Sequence, residues 1–600
     1  MGDKIKAVGT LNKLKSNTNF NLFNYKNYML SKNTYYSMDI DNIILVEKNK
    51  NIFYKIKQYL INRINKINRF EYLNTFILGD SSYIKEEVLE SYRTNGISHL
   101  FSVSGMHITL FSTIILFILN KIKKKEINYL FVILFLLFYM FLTNFIPSVI
   151  RATFLFVFII LNKKLKLNLS TLKILLIILM INLIINPYNI YNMGFEFSYI
   201  ISLFLITFSK IINRHKNYII KTLVTSSISF LASIPILINN YFNINLMTIF
   251  NNIIFVPLIS IIVFPISLII ILLPKLDFIY EIIINILENL SIFITNFKIE
   301  IIFSRASIFI TILYYLIISL FLYKIYKKKY KYILIIGVIL FIHTNINYIK
   351  NDSYVTFIDV GQGDSSLIHL PFNRGNILID TGGKYSYNVF KDIISYLKSE
   401  GIKSIDYLIL THGDYDHMGE AINLVENFKV EKVIFNCGKF NELEKELIKV
   451  LENKKIPYYS CIKELNIDNN KLYFLNNKDY GNENDNSSVI YTELNNYKFL
   501  LMGDAGVEVE EDLIEKYNLQ DIDVLKVGHH GSKTSSSKEF INEINPNYSI
   551  ISVGKNNRYG HPNDSVLENL ENSKIYRTDQ DGSVMFKIKN NKLETETCVP

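Results

Sequence analysis

The sequence is poor in the residues that build cysteine-dependent sites. Its 600 residues include three cysteines, Cys437, Cys461 and Cys598, and no Cys-x-x-Cys pair. This scarcity argues against a disulfide framework and against a cysteine-rich zinc site. No cleavable signal peptide is expected either, because residues 1–40 are polar and rich in asparagine. Cysteine chemistry is therefore not expected to organise this chain.

Apolar residues are concentrated between residues 99 and 348, whereas the chain from residue 350 onward has the composition of a soluble domain. Because about 20 apolar residues are enough to cross a bilayer as a helix, about eight to ten membrane spans are predicted. The expected spans lie near 99–119, 127–147, 149–162, 171–186, 195–212, 219–239, 247–273, 278–297, 307–323 and 332–347. Before them, residues 1–50 are weakly strand-like, and residues 51–95 have the spacing of an amphipathic helix.

Charge divides the chain at the same place. Residues 350–600 contain 28 Lys and Arg and 39 Asp and Glu, a net charge of −11. Because the whole chain carries +10, residues 1–349 carry +21. A basic membrane part suits anionic lipid or a polyanionic cargo, although basic loops also simply orient membrane proteins. Basic clusters at 121–125, 163–166, 210–221 and 324–331 alternate with nearly uncharged loops, which places residues 1–98 and 350–600 outside the cytoplasm.

Histidines and carboxylates cluster after predicted strands of the C-terminal part. Strands at 354–360, 377–379, 407–411, 499–502 and 524–527 each run into a polar loop, and five of the ten histidines lie in three loops of this region. Imidazole suits zinc, whereas carboxylates suit harder ions such as manganese. The sequence therefore predicts a site for two divalent metal ions (Mn or Zn). Its candidate ligands are His412, Asp414, Asp416, His417, Asp504, His529 and His530.

The order of these residues resembles the metallo-β-lactamase superfamily over about 350–590. The matching features are Asp380, the run from His412 to His417, Asp504 and the pair His529–His530. The resemblance implies a four-layer αββα sandwich and two-metal hydrolysis. It also implies that His412 and Asp414 bind one metal and Asp416 and His417 the other. Asp504 would then bridge them, and one histidine of the pair would complete the second site.

The chain departs from the superfamily pattern at two places. Asp414 stands where a histidine is usual, and no histidine occurs from 418 to 528, so that Asn486, Ser487 or water would fill a ligand position. Asp416 and His561 are the candidate catalytic residues. His561 either donates a proton or binds a phosphate oxygen, or it is only a turn residue before Pro562.

Several polar residues stand at the entrances of predicted spans, where they should face protein or water. Such residues occur in the stretches 96–107, 147–152 and 194–198. Arg151 either contacts the interior, with a salt bridge to Glu196 as one arrangement, or extends to the membrane surface. The candidate residues of a transport path are His99, Ser104, His107, Arg151 and Glu196.

The whole chain resembles ComEC-type competence proteins. The features that carry the resemblance are residues 19–30, Leu78-Gly79-Asp80, the three polar entrances, Asn251-Asn252 with Pro257, and the run Asp359–Asp364. It implies a partial OB-like region at 1–50, a channel domain at 51–348 and a hydrolase domain at 350–600. The implied protein lies in the bacterial cell membrane with its hydrolase on the outer face. There it passes one DNA strand inward while the hydrolase, as a nuclease, degrades the other.

The partners expected from this resemblance are single-stranded DNA, membrane lipid, other proteins of the competence machinery and a second copy in a homodimer. Two alternatives stay open. The first is a channel with a catalytically inactive hydrolase-like domain, which the missing histidine supports. The second is a membrane-tethered hydrolase of another substrate, in which the helices serve as anchors.

Overall fold

The structure is a computed structural model. It describes residues 2–119, 125–383 and 388–599, so most of the basic cluster at 121–125 lies outside the described residues. The N-terminal segment forms an antiparallel pair of strands, Lys4–Lys13 and Tyr36–Glu47, with the helix Tyr25–Ser31 between them. The region at 1–50 is therefore strand-rich, and its relation to an OB domain stays a prediction.

A continuous helix over 51–95 is not what forms. Helix Ile52–Ile64 ends before Arg69, whose positive φ of 59° turns the chain. A short helical segment, Phe70–Leu78, and the helix Glu86–Thr94 follow. The amphipathic spacing predicts the separate helices, but the left-handed backbone conformation of Arg69 prevents one continuous helix. The three pieces pack together because Ile64, Tyr72 and Val88 share one buried cluster.

Apolar helices account for the middle of the chain. Within the described residues, five helical segments are long and apolar enough to cross a membrane: Ser98–Leu119, Tyr218–Asn240, Thr248–Leu272, Pro274–Thr295 and Ile308–Tyr326. The amphipathic span expected at 278–297 is therefore among the five. The other expected spans form helices that do not meet the same criteria of length and apolarity: Lys125–Leu142, Pro147–Lys164, Thr171–Ile185, Met193–Thr207 and Ile333–Thr344.

The C-terminal part is a sandwich of two sheets. In the described residues the first sheet has eight strands, in the spatial order Tyr458–Ser460, Val433–Phe435, Tyr407–Ile409, Asn376–Ile379, Ser366–His369, Ser353–Phe357, Val584–Lys589 and Lys592–Thr597. The second has seven, in the order Glu464–Ile467, Asn470–Phe474, Ile490–Leu494, Tyr497–Leu501, Val524–Lys526, Tyr548–Ile551 and Lys574–Arg577.

Three buried clusters show the layers of this sandwich. Phe357 and Phe499, from different sheets, share the central cluster. The outer face of the first sheet packs on the helices Val389–Ser399, Ala421–Asn427 and Glu442–Lys454. The outer face of the second sheet packs on the helices Val507–Lys516, Lys538–Ile544 and Asp564–Asn569. The result is the αββα arrangement that the sequence predicted.

Cys437 and Cys461 form a disulfide bond, which corrects the expectation from their scarcity. The strands Val433–Phe435 and Tyr458–Ser460 pair in parallel, with Phe435 opposite Ser460. Cys461 directly follows its strand and Cys437 lies two residues after Phe435, so the pairing places the two cysteines side by side although 24 positions separate them in sequence. The register of these two edge strands brings the cysteines together, and the spacing of the cysteines in the sequence does not predict that register.

Candidate metal centre

The loops that follow three strands meet at one edge of the sandwich. Strand Tyr407–Ile409 leads to His412, and the short helix Tyr415–Met418 then carries Asp416 and His417. Strand Tyr497–Leu501 leads to Asp504, and strand Val524–Lys526 leads to the His529–His530 turn. Side chains that are distant in sequence therefore converge, as expected where strand ends feed polar loops.

Five buried polar atoms in this cluster have no hydrogen-bond partner. They are His412 Nε2, His417 Nε2, His530 Nε2, Asp504 Oδ1 and Asp364 Oδ1. Buried polar atoms are normally paired, because leaving one unpaired costs about 1–3 kcal/mol. Three imidazole nitrogens and two carboxylate oxygens facing one space are a ligand set for divalent cations. The residues present therefore fit the predicted metal site.

Distances within the cluster are those of groups that can share an ion. His417 Nε2 lies 3.2 Å from Asp504 Oδ1, and His530 Nε2 lies 3.5 Å from Asp504 Oδ2. The ligand atoms of His412, His417 and Asp504 lie within 4.8 Å of one another, as do those of Asp416, His417 and His530. Asp504 thus reaches residues of both sets, which is the position expected of a bridging carboxylate.

Asp380 and Ser552 orient two of the imidazoles. His417 Nδ1 donates to Asp380 Oδ2 at 2.8 Å, and Asp380 also accepts from the backbone and hydroxyl of Thr411. His530 Nδ1 donates to the carbonyl of Ser552 at 2.9 Å. A hydrogen bond at Nδ1 fixes the orientation of the ring and leaves Nε2 available to bind a metal, as is usual for histidine ligands. These partners pre-orient the two histidines toward the same space.

The His529–His530 turn separates its two imidazoles. Both residues have positive φ, 44° and 54°, so successive side chains leave the backbone in different directions. His530 is buried within the cluster, whereas the side chain of His529 is 25% exposed and its Nε2 lies 3.9 Å from Asp504 Oδ2. The geometry favours His530 as the ligand and places His529 at the rim.

Asp414 lies at the edge of the cluster. Its side chain is 48% exposed, and its Oδ2 lies 3.7 Å from His412 Nε2. Ser487 Oγ is 3.2 Å from His412 Nδ1 and accepts from the backbone of Asp504. Asn486 is instead engaged with Tyr480 and Asp479. Of the residues considered for the missing histidine, Ser487 therefore lies in the site and Asn486 does not point into it.

Asp364 belongs to the cluster although it was not among the ligands predicted from the sequence. It lies in the loop between two paired strands, and its ligand oxygen is within 4.8 Å of those of Asp504 and His530. The other oxygen forms an ion pair with the buried ammonium of Lys526. Asp364 was visible in sequence as the last residue of the Asp359–Asp364 run, but its nearness to residues some 140 positions away was not.

Electrostatics keep the central carboxylates ionised. Burial alone would raise the pKa of Asp504, but the neighbouring imidazoles of His530 and His417 outweigh it and hold that pKa well below its usual value. Burial likewise opposes ionisation of Asp416, yet the neighbouring imidazoles of His530 and His417 lower its pKa to about 2. Carboxylates bind metals in the ionised form. When bound there, divalent ions would supply Lewis acidity and an activated water for hydrolysis.

His561 lies beyond His529, outside the cluster itself. The two rings are 6.0 Å apart, and backbone bonds to Asn557 hold the His561 loop. Burial, together with the neighbouring His529 and His530, lowers the pKa of His561. A role for His561 in catalysis stays a prediction.

The polar residues of the membrane part are brought together only in part. The backbone N–H of Ser104 donates to His107 Nδ1 at 2.9 Å, while the buried Nε2 of His107 has no partner. Arg151 donates to the carbonyl of Ser198 and to Ser202 Oγ. Its guanidinium also packs against Gly105, so closely that a side chain at this position would begin 2.9 Å from it. Arg151 therefore faces the interior of the helices next to the Ser104–His107 segment.

Two expected members of the transport path stand apart. His99 is exposed in a short helical turn. Glu196 opens the helix Met193–Thr207, and among the described ion pairs none joins it to Arg151. The anticipated salt bridge between Arg151 and Glu196 is therefore absent from these described pairs, because the guanidinium points to Ser198 and Ser202 instead.

Comparison with known proteins separates the same two parts. The family model "Competence protein" matches residues 76–328, and the model "Metallo-beta-lactamase superfamily" matches residues 358–555. The chain therefore combines a region that matches the competence-protein family with a region that matches the metallo-β-lactamase superfamily. The resemblance predicted from the sequence motifs is thus confirmed for both halves.

The chain is also similar to individual known proteins. ComE operon protein 3 of Bacillus subtilis is 28% identical over 98% of this chain and 81% of its own length. Competence protein ComA of Neisseria gonorrhoeae is 29% identical over 40% of this chain and 33% of its own length. Among solved structures, the metallo-beta-lactamase fold protein YhfI of Bacillus subtilis is 10% identical with a TM-score of 0.27, covering 37% of this chain and 96% of its own.

Proposed function

We propose that this chain internalises DNA during natural transformation, moving single-stranded DNA across the bacterial cell membrane. The proposal rests on the match to competence proteins, which runs through the membrane helices. The cationic Arg151, held inside the helical part by Ser198 and Ser202, adds a group suited to phosphates. Single-stranded DNA, membrane lipid and other competence proteins are the proposed partners, and a homodimer is a further proposal.

The attached hydrolase domain is a metal-dependent nuclease in this account. The observation that carries the proposal is the set of five unpaired ligand atoms on a metallo-β-lactamase fold. Two divalent ions, Mn or Zn, are the proposed cofactors. A phosphodiester is the substrate that links such a site to a DNA channel, since divalent ions stabilise the charge that develops on phosphate oxygens.

Metal removal tests this activity. The purified chain in detergent should cleave single-stranded DNA with added Mn²⁺ or Zn²⁺ and should lose the activity in EDTA, because bound divalent ions would supply the activated water. Restoring the metal should restore cleavage. Cleavage that persists unchanged in EDTA would exclude the metal centre as its source.

The ligands around His412 support one alternative, in which the hydrolase domain is inactive. Ser487, a candidate for the position of the missing histidine, contacts Nδ1 of His412 and not its unpaired Nε2, and Asp414 is half exposed. One of the two metal positions is thus thinly coordinated, as expected if the hydrolase domain were an inactive remnant beside a working channel. Absence of cleavage by the metal-loaded chain, with transformation intact in cells, would favour that alternative.

We propose that the hydrolase domain lies on the outer face of the membrane. The alternation of basic loops supports this side, and so does the Cys437–Cys461 disulfide, because disulfides persist in oxidising compartments and are rare in the cytosol. The disulfide observation is independent of how many helices cross the bilayer. It therefore supports the placement without relying on the number of spans.

Labelling of single cysteines tests the sidedness. In a Cys598→Ser background, Lys538→Cys on the hydrolase domain should react with a membrane-impermeant maleimide in intact spheroplasts. Lys216→Cys, in a basic loop predicted to be cytoplasmic, is the matched control and should react only after lysis. Both positions are exposed, so accessibility within the protein does not limit either reaction. The reverse pattern would contradict the outward placement.

A further inference from the structure

A row of rings leads out of the metal-ligand cluster to the protein surface. Its ring centroids are separated by 5.3 Å from His417 to His530, 6.3 Å from His530 to His529 and 6.0 Å from His529 to His561. The last step, from His561 to Tyr559, is 5.7 Å with the two planes only 12° apart. The row ends at Tyr559, whose side chain is 53% exposed.

The loop that presents Tyr559 is held in one conformation from within. Asn557 Oδ1 accepts from the backbone N–H groups of Tyr559 and His561, and its Nδ2 donates to the carbonyls of Gly554 and His561. At the start of the loop, Gln362 accepts from the backbone of Gly554. An exposed aromatic ring on a loop fixed by this many bonds is already oriented for a flat ligand, so little conformational entropy is lost on binding.

Arg558 completes this surface. Its Nη2 donates to the Tyr559 hydroxyl at 2.7 Å, and its guanidinium carbon lies 4.9 Å from the centre of the Tyr559 ring. A guanidinium fixed beside an aromatic ring offers a phosphate partner next to a stacking face.

The charged residues around the cluster favour the approach of a polyanion from one side. The segments 526–538 and 553–562 contain no Asp or Glu, and they expose Lys533, Lys555 and Arg558. Asp414 and Glu483 lie instead beside His412 and Gly413, where Glu483 accepts from the backbone of Gly413. Since residues 350–600 carry a net charge of −11, a DNA strand is repelled by most of this domain and attracted at the rim of Tyr559.

We propose that Tyr559 and Arg558 form a docking platform for the substrate strand. One base stacks on the Tyr559 ring, an adjacent phosphate pairs with Arg558, and the strand then runs along the row of imidazoles toward the ligand cluster. The choice of single-stranded DNA as the ligand rests on the proposed nuclease function. Stacking on an aromatic ring requires an unpaired base, so the platform selects single strands over duplex.

A binding measurement tests the platform without any cleavage. The full-length chain in detergent, with EDTA present, is titrated with an oligonucleotide carrying the fluorescent base 2-aminopurine. Stacking on Tyr559 quenches that base. Tyr559→Ala should weaken binding about tenfold and abolish the quenching, whereas Tyr559→Phe should keep the quenching, because stacking needs the ring and not the hydroxyl.

Two controls and the contrary results complete the test. Tyr459→Ala, at an exposed tyrosine on the far edge strand of the first sheet, should bind as wild type does. Binding by Tyr559→Ala equal to that of wild type, or binding by wild type without quenching, would overturn the platform. A wild-type chain that binds and quenches but never cleaves with metal would instead refute the nuclease function while leaving the platform in place.

Discussion

Asp504→Ala should abolish DNA cleavage by the purified chain. Asp504 is the carboxylate that reaches both ligand sets, through Oδ1 toward His417 and Oδ2 toward His530. Its loss leaves neither metal position with its full set of ligands. Since metal ions contribute several kcal/mol of transition-state stabilisation, cleavage of single-stranded DNA should fall by on the order of a thousandfold or more. Bound metal, measured by mass spectrometry on the same sample, should fall with it.

The controls for this variant separate chemistry from folding. Glu511→Ala removes a carboxylate from the exposed face of the neighbouring helix Val507–Lys516 and should leave cleavage unchanged. Asp504→Asn keeps the size of the side chain but removes its charge, so it should also be inactive. Thermal unfolding of each variant checks that the domain is folded. Full cleavage by folded Asp504→Ala would remove this residue from the site.

Arg151→Ala should abolish transformation while leaving nuclease activity intact. A charged side chain in a membrane helix costs about 2.5–3.5 kcal/mol on insertion scales, so its retention in an interior position needs a reason. Arg151 contacts Ser198, Ser202 and the Gly105 region, which joins three helices around one cation. If that cation meets the phosphates of the passing strand, its loss should lower transformation at least about a hundredfold, as loss of a charge-assisted contact in a low-dielectric site does.

Two further measurements make the Arg151 result specific. Lys164→Ala, at the basic end of the same helix, should transform like wild type because its side chain is exposed. The detergent-purified Arg151→Ala chain should cleave single-stranded DNA at the wild-type rate. Wild-type transformation by Arg151→Ala, at equal protein level, would contradict the channel assignment and favour a tethered hydrolase with the helices as anchors.

Sequence was sufficient for those features that depend on local patterns. The strands before His412, Asp504 and His529 follow from short apolar runs that end in polar loops. The layered fold was implied by the resemblance to the metallo-β-lactamase superfamily. The whole region of membrane helices follows from composition. These helices and strands could be predicted because the periodicity of an apolar run indicates its secondary structure before its packing partner is known.

What sequence missed depends on pairing across the fold. Asp364 enters the ligand cluster only because its loop meets loops of the second sheet, and Lys526 neutralises it from a strand of that sheet. The disulfide depends on the parallel register at Phe435 and Ser460. The choice between His529 and His530 depends on two left-handed residues in succession. None of these has a signature in spacing or composition.

The fate of each strand during uptake tests the central claim most directly. Transforming DNA is labelled on one strand or on the other, and the label is followed into wild-type cells and into cells with Asp504→Ala. In wild-type cells, one strand should be recovered inside while the label of its complement appears as small fragments in the medium. In Asp504→Ala cells that release should stop. Equal release of fragments by both strains would contradict a nuclease at the mouth of the channel.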